Sequence, residues 1–335
     1  MASIKDIAKK CGVSVATVSK SLNDANDISK ETKDRVKQVA KEMGYYVNHY
    51  ARALKTKRTN SIGILFDDEI TATITHEYFL WILDSFKTET EKRGYDVTFM
   101  NHHIAGKKTS YLNYCRYRGF DGIAIINADF NNEEIQELLN SDIPTVTVDY
   151  MCKHCSTVMS DNRDGLYRLV QYAYEKGHRK IAFIHGALTN VTKDRIFGYK
   201  QAHEDLGLEI RKEYLIQGNY HDIEMCAEKT IEVLSLEDRP TCIIFPDDYS
   251  SFGGMQTIEE AGLKLPEDIS AMAYDGIRMA NYLGLTTFKQ DTTSIGKTAA
   301  AKLIDTIEGK EETVQHVIIP GELIEGGTVA DINNK

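Results

Sequence analysis

Residues 13–23 read VSVATVSKSLN, a small, hydroxyl-rich stretch with a single Lys, and how it folds decides the first domain. At 100° per residue, Val18 and Leu22 share one face of a helix, while Ala16 and Lys20 lie on the opposite side and Val15 projects from the first turn. Thr17, Ser19 and Ser21 are short donors on the flanks, suited to phosphate oxygens. So slim an outer face lets a helix seat deeply in a groove. A surface helix with no ligand has the same composition, so the flanking sequence must decide.

Upstream, Ser3 with Asp6 three residues on is a near relative of the capping box. Ile4, Ile7, Ala8 and Cys11 then follow at i, i+3, i+4, i+7, which makes one face of a first helix apolar. Gly12 supplies a turn and Ser14 caps the quoted helix. Ser29 caps a third, whose apolar face is Val36, Val39, Ala40 and Met43 and whose stop is Gly44. Helix, Gly turn, helix, loop, helix is a helix-turn-helix domain. Charge agrees: residues 1–60 hold 13 Lys or Arg against 6 Asp or Glu, a net of +7, on a chain of 335 residues whose net charge is −10. A basic head on an acidic body is how a polyanion-binding module is attached to something that avoids polyanions.

Lys20 can donate to guanine O6 and N7, and Val15 and Ala16 offer apolar contact to a thymine methyl. After Gly44, Asn48 can cap a short helix from His49 to Lys55 that carries Ala51, Arg52 and Leu54. An apolar Leu closing a basic segment can wedge between base steps of a minor groove.

From residue 61 the chain alternates β-rich runs (SIGILF, YDVTFM, FDGIAIIN, IPTVTVD, KIAFIHG, YLIQGNY, TCIIFPDD, ISAMAYDG) with helical stretches such as FLWILDSFKTETEKRG and RLVQYAYEKG. Such βα alternation makes parallel sheets covered on both faces, and this many units predicts two lobes. Ligands of open α/β sheets bind beyond the carboxyl ends of the strands. Asp67, Asp68, Asp149, Asp161, Asn162, Tyr220, Asp247, Asp248 and Asp275 fall at such ends, and Arg195 opens a helix. Carboxylates, one Arg and aromatic faces suit a polyol, although Asp and Asn at strand ends are also common turn and cap residues.

No apolar run reaches the length of a membrane span and MASIKDIAKK lacks the apolar centre of a secretory signal, so a cytoplasmic protein without a membrane partner is expected. Cys152 and Cys155, as CKHC, have no second CxxC to complete a zinc site and read as free loop thiols in a reducing cell. Gly296-Lys297-Thr298 ends like a phosphate loop but lacks its first Gly and the preceding strand-to-Gly turn. His185 has no nucleophile motif beside it. Neither cofactor, metal site nor enzymatic activity is expected.

SIKDIAKKCGVSVATVSKSLN, then ISKETKDRV and MGYYVNHYARALKTKRTNSIGI, resembles the head of the LacI/GalR family of bacterial transcription regulators. The resemblance covers essentially the whole chain and is most specific in residues 3 to 64. It implies an N-terminal all-α helix-turn-helix domain (1–47), a hinge helix and linker (48–60), and a two-lobed α/β effector-binding body (61–335) resembling periplasmic sugar-binding proteins. Lobe 1 would take about 61–158 and 288–320, and lobe 2 about 159–287 and 321–335. It implies a homodimer on a palindromic operator, and no C-terminal heptad repeat is present to make a tetramer. Val15, Ala16 and Lys20 would read base edges, Thr17, Ser19, Asn23 and Tyr45 would meet phosphates, and Leu54 would pry open the central step. Val47 stands where the family often has Pro. In the body, Arg195, Asp247 and Asp275 fall at family effector positions, Tyr220 matches the usual cleft aromatic, and His76, Tyr78 and Phe79 lie where first-lobe contacts cluster. Four features depart from the family: a long DDEITATITHEYF loop, Asp247 where Asn is common, no Pro before LTT, and Gly326 or Gly327 for the usual Arg. The expected function is a repressor of carbohydrate-utilisation genes governed by a sugar-like effector. The alternatives are a corepressor-dependent regulator and, from another class, a solute-binding or sugar-processing protein.

Overall fold

The computed structural model describes residues 2–45, 58–67, 75–311 and 313–333 and divides into a head, Met1–Thr59, and a body, Asn60–Lys335. In the head, Ser3 opens α1 (Ile4–Cys11) with a complete capping box: its hydroxyl accepts the Asp6 N–H at 3.3 Å while the Asp6 carboxylate accepts the Ser3 N–H at 2.9 Å. Gly12, at φ 64°, ends the helix in the left-handed region that favours glycine. Ser14 caps α2 (Val15–Leu22) and Ser29 caps α3 (Lys30–Glu42). Ile7, Ala8, Cys11, Val18, Val36 and Ala40 form the buried core between them. Ser21 is a correction to the expected phosphate donors. One turn beyond Val18 it points inward, is 0% exposed, and its hydroxyl has no partner among the described residues. The inner face of α2 is therefore Val18 with Ser21, and half-buried Leu22 packs against the same core, as expected. The short helix expected at 49–55 lies outside the described residues.

The body opens with β1 (Ser61–Phe66), α4 (Glu77–Lys92), β2 (Asp96–Phe99), a small antiparallel pair β3 (His103–Ile104) and β4 (Lys107–Lys108), and α5 (Tyr111–Arg118). Next come β5 (Gly122–Asn127), α6 (Glu133–Leu139), β6 (Thr145–Val148) and β7 (Ser156–Ser160). With β13 (His316–Ile319) these form one sheet of order β13-β7-β6-β5-β1-β2, every pair parallel. The remaining elements are α7 (Asn162–Glu175), β8 (Ile181–His185), α8 (Asn190–Asp205), β9 (Leu215–Gln217), α9 (Ile223–Leu234), β10 (Cys242–Ile244), α10 (Asp248–Glu260), β11 (Ser270–Asp275), α11 (Arg278–Tyr282), β12 (Thr286–Lys289), α12 (Thr292–Ile307) and β14 (Glu322–Ile324). The second sheet runs β14-β12-β11-β10-β8-β9, with only β14 antiparallel to its neighbour. Runs such as GIAIIN and SAMAYD are buried along almost their whole length because helices cover both faces of each sheet.

The chain passes between sheets three times: between β7 and α7, between β12 and α12, and at residues 320–321 between β13 and β14. Returning to the first lobe, α12 packs along α4 over Ile82, Phe86, Ala299 and Leu303. The link from β6 to the parallel β7 is only residues 149–155, too short for a helix, and only its two cysteines are fully buried. This corrects the expectation of free loop thiols. Cys152 and Cys155 are buried and joined as a disulfide with Cα atoms 5.5 Å apart. The Thr157 hydroxyl accepts the Cys152 N–H at 3.1 Å, and a ring nitrogen of His316 meets the Cys152 carbonyl at 2.9 Å.

Candidate functional site

Two surfaces carry the expected chemistry, one in each unit. On the head, Val15, Ala16 and Lys20 are exposed along α2, and Val15 keeps 41% of its surface open. Lys20 is ion-paired with Asp27, which draws the Asp27 carboxyl below its usual range. The Thr17 hydroxyl lies 2.9 Å from that of Ser14, and half-buried Ser19 flanks it. Asn23 closes the helix: its side-chain amide donates to the Ser19 carbonyl at 2.7 Å. Tyr45 packs its ring on the head core and donates its backbone N–H to Ala40 at 2.9 Å. Arg52 and Leu54 lie outside the described residues.

In the body, a cavity of about 180 Å³ opens between the lobes beyond the carboxyl ends of their strands. Tyr78 and Phe79, in the first turn of α4, and Asp149, after β6, come to it from one lobe; Arg195 of α8, Tyr220 and Asp275 come from the other. The buried Tyr78 hydroxyl donates to Asp149 Oδ2, while Asp149 Oδ1 is buried with no partner among the described residues. Burial pushes the Asp149 carboxyl up, against the pull of Tyr78 and Arg195. Arg195 is 4% exposed and fixed at both ends of its fork, donating from Nε to Asn162 Oδ1 and from one Nη to the Pro246 carbonyl, each at 2.8 Å. Its remaining Nη lies 3.9 Å from Asp275, and its guanidinium carbon stands 3.6 Å over the Tyr274 ring. Burial opposes its charge, but Tyr220, Tyr274, Asp275 and Asp149 hold it protonated. Asp275 accepts from Gln290 at 2.7 Å, and burial drives its carboxyl well up because Arg195 only partly offsets it.

Asp149 (φ 57°), His221 (φ 57°) and Asp275 (φ 112°) all have left-handed backbone. Three such non-glycine residues in one cleft store strain where the surrounding structure over-determines them. Gly186 makes room for the cleft aromatic, since a Cβ there would sit 2.2 Å from the Tyr220 ring.

The other candidates stand behind the cavity wall. Asp161 caps α7 through the Asp164 N–H at 3.0 Å. Asp247 caps α10, accepting from the Ser250 N–H at 2.7 Å and from the His221 N–H at 2.9 Å. His76 is 9% exposed, faces the His221 ring at 3.7 Å, and is pushed down to about 3 by burial, with His221 adding to it. Phe130 and Tyr150, which stack at 3.7 Å and 3° in the cavity wall, were missed from sequence; Tyr150 at least follows Asp149 at a strand end. Gln290 and Asn127 join them, the latter ending β5.

Residues 3–48 match the family profile described as bacterial regulatory proteins, lacI family, and residues 170–329 match a periplasmic binding protein-like domain. The HTH-type transcriptional repressor PurR of Pectobacterium carotovorum subsp. carotovorum (strain PC1) is 32% identical over 340 residues, covering 99% of this chain and 98% of the relative. The lac repressor dimer bound to operator and the anti-inducer ONPF superimposes with a TM-score of 0.80 at 22% identity, over 98% of this chain and 99% of that one. The transcriptional regulator CelR in complex with cellobiose follows with a TM-score of 0.71 at 21% identity, over 98% and 100%. The resemblance, most specific in residues 3 to 64, thus holds along the chain, and with it the two-part fold of helical head and two-lobed α/β body. The chain belongs to the LacI family of DNA-binding bacterial transcription regulators.

Proposed function

We propose that this protein is a cytoplasmic, homodimeric repressor of carbohydrate-utilisation genes that binds a palindromic operator and whose operator affinity is set by a monosaccharide-class ligand in the interlobe cleft. The observation that carries the ligand class is Asp149 Oδ1, a buried acceptor without a hydrogen-bond partner among the described residues, on a residue that lines the cavity with Asp275 and Arg195. Adjacent hydroxyls supply the donors that two carboxylates need and the acceptor that a free guanidinium N–H needs, and the rings of Phe79 and Tyr220 cover C–H faces. On the head, Val15, Ala16 and Lys20 would read base edges, with Thr17, Ser19, Asn23, Tyr45, Arg52 and Leu54 supporting them. Because the cavity is lined from both lobes, a ligand there favours their closed arrangement, and it shifts operator affinity only by its differential affinity for the two states.

A second ligand class, a flat nucleobase, is favoured by the Phe130–Tyr150 stack and the density of aromatic rings in the same wall. The experiment is a melting-temperature screen of the purified protein against monosaccharides, sugar phosphates and nucleobases, repeated with Asp149→Asn. A monosaccharide at 100 times its Kd should stabilise the protein by about 2.7 kcal/mol. Asn is at home at left-handed φ but has lost the charged acceptor, so Asp149→Asn should weaken that ligand by about 1.5–3 kcal/mol. A shift with nucleobases alone would replace the sugar by the second class. No shift with any of them would refute both.

A further inference from the structure

At one wall of the cavity, four potential metal ligands from both lobes converge: His221 and Asp275 line it, and His76 and Asp247 stand behind them. His76 stands immediately before α4 of the first lobe; His221 follows β9, Asp247 follows β10 and Asp275 ends β11, all in the second. One ligand atom from each lies within 4.8 Å of every other, and no other cluster of three or more His, Cys, Asp or Glu among the described residues is assembled this way. The two imidazoles lie 3.7 Å apart at 49°, so neither a flat stack nor an edge contact holds them. Both ring nitrogens of His76 and Nδ1 of His221 are buried without a partner among the described residues. Buried imidazole nitrogens ordinarily find partners, and three orphaned in one place call for an explanation. Asp247 Oδ1 lies 3.7 Å from His221 Nδ1, within ion-pair reach but beyond a hydrogen bond, and already accepts from the Ser250 N–H.

We infer that His76, His221, Asp247 and Asp275 form a binding site for a divalent transition-metal ion that bridges the two lobes. Two imidazoles with two carboxylates suit Zn²⁺, Co²⁺ or Ni²⁺ and disfavour Mg²⁺, which takes oxygen ligands and keeps its waters. A tetrahedral ion with bonds of about 2.0–2.2 Å would draw the four ligand atoms closer than their present spacing, pulling His76 toward the second-lobe trio. The Asp247 carboxylate is already oriented by Ser250 and by the His221 N–H, as ligating carboxylates usually are by outer partners. Since one ligand belongs to the first lobe and three to the second, the site is complete only when the lobes are together. A bound ion would therefore favour the closed body. A metal here departs from the sequence expectation of none, and because Asp275 is shared with the proposed sugar contacts the test is run without sugar.

The test uses the full chain, stripped with a chelator and kept free of sugar. Zn²⁺ titrated by calorimetry should bind at one ion per chain and raise the melting temperature, and Co²⁺ should produce the visible absorption of a low-symmetry site. His76→Gln and His221→Gln should each lose the tight Zn²⁺ isotherm and the Co²⁺ bands, with far-UV circular dichroism unchanged. The two histidines lie in different lobes, so a folding defect in one variant leaves the other to decide. Absence of uptake would overturn the inference. So would uptake that survives both substitutions, which would put the ion elsewhere on the chain. Failure here leaves the monosaccharide screen untouched, since that screen is run on Asp149.

Discussion

Lys20 is the one long polar side chain on the outer face of α2, and on the free head it is ion-paired with Asp27. That pair is exposed and screened, so it is a weak competitor for a guanine edge. Lys20→Ala should cost about 1–3 kcal/mol at one base pair per half-site and relax preference there, measured by competition against operator variants. An equal loss on every sequence would make Lys20 a phosphate anchor instead. The same residue scale shows why strand-end carboxylates could be found in the sequence but not sorted by it. Asp161 (φ −74°) and Asp247 (φ −157°) hold backbones that turn the carboxylate onto the following helix as caps. Asp149 and Asp275, at positive φ, face the cavity instead, and nothing in DY or DG fixes that dihedral without the neighbouring strand. His203 makes a case for pH. It is 0% exposed, its Nε2 has no partner among the described residues, and burial lowers its pKa below the ordinary histidine value of 6.5. Between that lowered value and 6.5 the unfolded chain binds the extra proton, so stability falls as pH drops below 6.5 and is unaffected by this group above it. His203→Gln should flatten that acid limb in urea unfolding followed from pH 7 to 5; an unchanged limb would assign it to other groups.

Among elements, α2 and α4 differ in how much their own residues say. The α2 helix follows local rules: a Ser cap, a C-terminal Asn and small side chains facing out, all of which can be read before any tertiary contact exists. Only Ser21 escapes, because its burial depends on the close approach of α1 and α3 rather than on polarity. In contrast α4 has two jobs within one turn. Tyr78 and Phe79 go to the cavity, while Glu77 and Trp81 reach α11 of the other lobe: Glu77 accepts the Arg278 N–H at 3.1 Å, and the Arg278 guanidinium stands 4.4 Å over the Trp81 ring. Periodicity shows that HEYFLWIL is apolar and helical, but a partner some 200 residues away carries no local signal. The pair β3 and β4 and the strand β7 were unread for a related reason, being short or joined without a helix. Arg278→Ala removes the cation–π contact and the exposed 3.7 Å ion pair of its Nε with Glu77, while the backbone N–H to Glu77 remains. It should weaken the cleft ligand by about 0.5–1 kcal/mol, the scale of an exposed cation–π pair, with little change in the melting temperature of the unliganded protein. A large fall in that melting temperature would mean that the contact stabilises the fold rather than closure.

For the whole molecule, the two sheets share one chain that returns to the first lobe through α12 and β13 and leaves again for β14. Each lobe is thus completed by residues distant in sequence, which is why βα alternation announces two lobes without locating the crossings. Charge, however, is a property the sequence states outright. The 275 residues after position 60 hold 27 Lys or Arg against 44 Asp or Glu, a net of −17 beside the +7 of residues 1–60. A body of that sign is repelled by a duplex, so attraction to DNA has to come from the head, through counterion release as its Lys and Arg displace condensed cations. For Z phosphates neutralised, log K falls against log salt with a slope of about −0.9Z, and six to ten contacts lower affinity by about 10³–10⁵ between 50 and 200 mM salt. Fluorescence anisotropy of a labelled operator across that range should give such a slope for the intact protein. Replacing Lys5 or Lys9, away from the outer face of α2, by Gln should either leave the slope alone or reduce it by about one, without altering preference among operator variants. A nearly flat salt dependence in the intact protein would mean that the basic head does not engage phosphates, and would undo the assignment of α2 to a groove.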